Sequence, residues 1–172
     1  MNPNKNNYKF AAAALGLFYC FYFLTTKGDW HFIDNVDLII HEAGHVVFSL
    51  FGQTLYIAGG SLFQIIVPLV FFAYFFLNQN YFSAAAMLYW AGLSTINVSV
   101  YAADAVKMQL PLITGDPDTH DWNQLLFNHG LLHYTSLISN IILALGIIFI
   151  FVGFVIALYG WNKESNEINY EQ

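Results

Sequence analysis

Asp37-Leu38-Ile39-Ile40-His41-Glu42-Ala43-Gly44-His45-Val46-Val47-Phe48 is an apolar run that carries two histidines and a glutamate within five residues. Glu42 is the only charged residue between Asp37 and Asp104. His41-Glu42-Ala43-Gly44-His45 is an HExxH pattern. On a helix, positions i and i+4 share a face, so both imidazoles can reach one metal ion. Glu42 then lies beside a metal-bound water and can take its proton. A carboxylate at bilayer depth is costly to keep, so its presence marks a functional site.

The surroundings are those of a membrane protein. The chain has 172 residues, of which 58% are hydrophobic, 19% aromatic and only 9% charged. Mean hydropathy is +0.53. An ordinary soluble domain carries about 25% charged residues. There is no arginine, and the five lysines are scattered, so nucleic-acid binding has no electrostatic support. The single cysteine, Cys20, has no internal partner and reads as a small lipid- or core-facing residue.

The apolar stretches predict an all-α, polytopic membrane helix bundle forming a single domain over residues 1–172. About five spans are expected, at 10–25, 36–57, 62–77, 81–103 and 131–159. In lipid the backbone must satisfy its own hydrogen bonds, which selects helices. The first stretch reads as an uncleaved span, because its exit, Leu24-Thr25-Thr26-Lys27, lacks small residues for cleavage. Gly59-Gly60 is expected to break the chain between the second and third spans, and Pro68 to kink the third. Lys5 and Lys9 favour a cytoplasmic N-terminus, in what reads as a bacterial inner (plasma) membrane.

At this point the chain resembles the site-2 protease family of intramembrane zinc metalloproteases. His41, Glu42 and His45 on an apolar helix carry the resemblance, with Gly52 and Gly59-Gly60 downstream. It covers about residues 37–68. The resemblance implies zinc held by the two histidines and a later aspartate, with the glutamate as general base. The family's Asn-Pro and Leu-Asp-Gly pattern is absent.

Zinc in a catalytic site takes three protein ligands and leaves one position open. Asp104, at the end of the fourth span, is the first candidate for the third ligand. His120, in Asp116-Pro117-Asp118-Thr119-His120-Asp121-Trp122, is the second, with Asp121 orienting an imidazole from behind. Either requires the fourth helix to unwind near Asp104 or the segment at about 105–130 to be partly re-entrant, with Met108–Thr114 folding back. Gln64 and Asn97 are polar at lipid depth and are expected to line the cavity or bond between helices. His129 and His133 form a second i, i+4 pair, but no carboxylate stands beside them.

The sequence therefore predicts a membrane-embedded zinc metallopeptidase acting on a membrane-anchored polypeptide. Two alternatives stand beside it. One is a non-catalytic subunit of a larger membrane complex with a structural or vestigial metal site. The other is a redox protein with histidine-ligated iron or haem.

Overall fold

The computed structural model describes residues 3–170. It is 83% helical, with no strand among the described residues. Six α-helices run in the order α1 (Pro3–Thr25), α2 (Phe32–Phe48), α3 (Gln53–Leu77), α4 (Tyr81–Ala103), α5 (Asp121–Asn128) and α6 (Thr135–Tyr170). Three are long and apolar enough to cross a membrane: Asn7–Thr25, Gln53–Leu77 and Leu132–Asn166. The all-α membrane-type bundle is as the sequence predicts, and the number of spans differs.

The difference begins at the expected span 36–57, which is not one helix. Helix α2 stops at Phe48, passes through a 3-10 turn at Ser49–Phe51, and reverses at Gly52. Gly52 has φ +91°, a conformation that disfavours any side chain. Helix α3 then starts at Gln53 and runs unbroken through Gly59, Gly60 and Pro68. At 17 residues, α2 is about 25 Å long.

Gly59 and Gly60 serve contact, not interruption. A Cβ on Gly44 of α2 would collide with the Gly59 carbonyl oxygen. One on Gly59 would stand 2.7 Å from Phe48 Cβ, and one on Gly60 would overlap the His41 ring. The three glycines let α2 and α3 pack backbone to backbone, which small residues allow between membrane helices.

Helix α4 is the central post. Ala84, Ala85, Ala91, Ile96 and Ala102 along it are fully buried. It packs against α6, α3 and α1. Cys20, Phe23, Tyr89, Leu93, Ile96 and Ile150 form the apolar core where these helices meet, so Cys20 is a core residue. Beyond α4 the chain folds back, placing α5 against α3. The Trp122 indole there donates to Ser61 Oγ at 3.1 Å.

Candidate metal centre

Helix α2 carries Asp34, Asp37, His41 and Gly44 on its buried face. This spacing of three and four is the stripe of one helical face. Its start is capped by Asp34, whose carboxylate accepts the His31 N–H at 2.6 Å. The stripe reaches α4 through hydrogen bonds. Asp37 Oδ1 accepts from the Trp90 indole (2.8 Å) and Ser94 hydroxyl (2.9 Å). Asp34 Oδ1 accepts from Asn97 Nδ2 at 3.0 Å.

His41, His45 and Asp121 form the one group of three among the described residues whose ligand atoms all lie within 4.8 Å of one another. His41 Nε2 stands 2.9 Å from Asp121 Oδ2, and His45 Nε2 stands 3.3 Å from the same atom. The other ring nitrogens are also committed. His41 Nδ1 faces Gln64 Oε1 at 2.8 Å, and His45 Nδ1 faces the Tyr56 carbonyl oxygen at 2.8 Å. Gln64 is oriented by its own amide, which donates to the Ser94 carbonyl at 3.3 Å and to Asn97 Oδ1 at 3.4 Å.

All four ring nitrogens therefore face acceptors. A neutral imidazole has one N–H, so one nitrogen of each ring must turn a lone pair toward an acceptor. With Nδ1–H donated to Gln64 and the Tyr56 carbonyl, each Nε2 lone pair faces the Asp121 carboxylate, which is repulsive unless each ring gains a second proton or a cation lies among the three groups. Two adjacent imidazolium rings sharing one carboxylate would repel one another, with ring centroids only 4.9 Å apart. One divalent cation resolves all three groups at once. In a tetrahedral zinc site, ligand atoms about 2.0–2.1 Å from the metal are about 3.3 Å apart, close to the two histidine–aspartate separations of 2.9 and 3.3 Å.

Burial opposes the charge on Asp121, but the two histidines beside it outweigh burial and hold the carboxyl below its ordinary value. Tyr101 supports it from α4, accepting the Asp121 backbone N–H at 3.0 Å. Glu42 is exposed beside the group, and its charge acts on both His45 and Tyr101.

The carboxylate that the fold brings to the two histidines is that of Asp121, where Asp104 or His120 was expected and Asp121 was read as supporting an imidazole. Asp104 is engaged elsewhere: its Oδ2 accepts from the backbone of Gln109 (2.9 Å) and Leu110 (2.8 Å). It thereby shapes the fold-back, while α4 stays helical to Ala103. His120 is fully buried and caps α5, its Nδ1 accepting the Asn123 N–H at 3.2 Å. Its Nε2 faces Asp104 Oδ2 at 3.4 Å, a contact too long to count as a firm hydrogen bond. Burial pushes the His120 imidazole down in pKa, and Asp104 offsets this only partly.

Gln64 and Asn97 bond between helices, one of the two uses expected of them: Gln64 joins His41 to α4, and Asn97 joins α4 to Asp34. His129 and His133 are not brought to the centre. His129 Nδ1 faces the Leu125 carbonyl at 2.8 Å, and His133 packs on Tyr134.

The chain matches no family model, no curated protein and no solved structure. The geometry itself is therefore the ground for a functional reading. Tyr101 and the Tyr56 carbonyl had no signature in the sequence. Asp34 and Asp37 had one, lying seven and four residues before His41 on the same helical face.

Proposed function

We propose that this chain is a membrane-embedded zinc metallopeptidase, similar in its HExxH chemistry to the site-2 protease family, and that it cleaves a membrane-anchored polypeptide. One observation carries the reading. The Nε2 atoms of His41 and His45 converge on Asp121 Oδ2 at 2.9 and 3.3 Å, while both Nδ1 atoms face acceptors. Two imidazoles and one carboxylate match the donor set of a catalytic zinc, which keeps a position open for water.

Zinc held there would polarise a carbonyl and make a neighbouring water acidic near neutral pH. Glu42 follows His41 directly and stands outside the histidine–aspartate network, so its carboxylate is available as the base. It takes the water's proton as the carbonyl is attacked and delivers it to the departing amine. Gln64 and the Tyr56 carbonyl hold the imidazoles in the tautomer that binds metal. Water and substrate approach from the exposed side of α2, on which Glu42 lies.

The test uses the purified chain in detergent or vesicles. Zinc is expected at about one equivalent, lost in His41→Ala, His45→Ala and Asp121→Ala. Cleavage of a membrane-anchored reporter should fall at least about 100-fold in Glu42→Gln while zinc is retained. Wild-type cleavage by that variant would reject the mechanism. Iron or a haem band in place of zinc would reject the metal assignment.

A further inference from the structure

We propose that Tyr101 donates a hydrogen bond to the oxygen bound at the open position of the metal centre, which in a peptidase is the carbonyl oxygen of the bond being cut. The inference rests on the zinc reading above and assigns a substrate-contacting donor that the HExxH pattern does not contain.

The Tyr101 ring is held between two imidazoles, with centroids 5.9 Å from His41 and 4.4 Å from His120. The phenol oxygen therefore has a fixed place. It accepts the Asp121 backbone N–H at 3.0 Å, which leaves its own hydrogen to be placed. The nearest acceptor is Asp121 Oδ2 at 3.5 Å. Hydrogen bonds from hydroxyls cluster at about 2.7–2.8 Å, so this contact is at best weak. The same oxygen already faces His41 Nε2 at 2.9 Å and His45 Nε2 at 3.3 Å. A metal bound there would draw further on its lone pairs.

The phenol hydrogen thus lies beside the third ligand without a committed acceptor. An oxygen held at the metal's open position would supply one. A donor fixed before charge develops is the arrangement that stabilises an oxyanion, because nothing has to reorganise during reaction. Tyr101 also positions Asp121 through its acceptor side, so the test must separate the two roles.

Cobalt-loaded protein in detergent is titrated with acetohydroxamate, and binding is followed by the visible cobalt spectrum. Tyr101→Phe should weaken acetohydroxamate by about tenfold or more, the range expected for one bond to a charged group. Tyr101→Phe also removes the acceptor of the Asp121 backbone N–H, so acetohydroxamate is titrated only at saturating cobalt and the cobalt affinity is measured separately. Replacing Tyr101 with 3-fluorotyrosine keeps the ring and the acceptor while strengthening the donor, and should tighten acetohydroxamate. Unchanged binding in Tyr101→Phe, a loss that only follows cobalt loss, or no tightening with 3-fluorotyrosine would each overturn the proposal. A wild-type chain that takes up neither cobalt nor zinc would instead overturn the metal reading beneath it.

Discussion

His41 shows how little of a candidate metal ligand lies in the side chain itself. Its usefulness depends on Nδ1 being occupied, and Gln64 Oε1 occupies it at 2.8 Å. Gln64→Leu keeps the size and removes the acceptor, freeing His41 to adopt the other tautomer. Zinc affinity, measured by competition with a chelator, should fall roughly 10- to 100-fold. An unchanged affinity would show that Gln64 is only a packing residue. The pH dependence follows from the same ligands. Imidazoles bind metal only when neutral, so acid should expel zinc by protonating the histidines. Asp121 will not cause that step. Its pKa is depressed, so its contribution is present above 3.8 and is lost only as pH falls through the still lower folded value. Metal content after equilibration at stepped pH measures this, and full retention at about pH 4.5 would argue against histidine ligation.

At the scale of elements, the α2–α3 hairpin places both histidines, and its glycines set how closely the helices approach. Gly44→Ala and Gly60→Ala should each destabilise by about 1–3 kcal/mol, the usual result of overfilling a packed contact. They should differ in their effect on metal. A Cβ at Gly44 meets Gly59 and Phe63, whereas one at Gly60 meets the His41 ring. Gly60→Ala should therefore lose zinc as well as stability, and Gly44→Ala should keep more of its metal. Thermal midpoints and zinc content of the two variants decide this; equal zinc retention would contradict the assignment. These glycines also explain why the expected break at 59–60 was misplaced. Paired glycines suit a turn and a close helix contact equally well, and only the partner helix distinguishes them.

In the whole molecule, a bound metal would staple α2 to the returning segment that carries α5. Chelation should loosen that segment, because a ligand that binds only the assembled site stabilises it by mass action. Limited proteolysis within residues 105–120 is expected to speed up on adding a chelator and to slow again with zinc; equal rates would speak against the staple. A second global tie is the polar contact between α2 and α4. Asp37→Leu would leave the Trp90 indole and Ser94 hydroxyl without their acceptor, at about 1–3 kcal/mol. Asp37→Asn retains an acceptor oxygen and should cost less, which paired denaturation curves can measure.

The helical, membrane-type class was legible because a long apolar run has few ways to satisfy its backbone in lipid. The HExxH face was legible because ligands four residues apart on one helix need no tertiary information to be neighbours. Asp121 was visible only as a residue type near a candidate histidine. Its neighbours Asp104, Asp116, Asp118 and His120 offered equally suitable donors, and periodicity does not rank residues in an irregular segment. What chose among them was the path of the chain between α4 and α5. The backbone N–H groups of Gln109 and Leu110 engage Asp104, the start of α5 engages His120, and Asp121 is left against His45 and against His41, which is 80 residues away in sequence. Local spacing decides what a helix face can bind, whereas the donor completing the set is decided by which polar groups the fold has already satisfied.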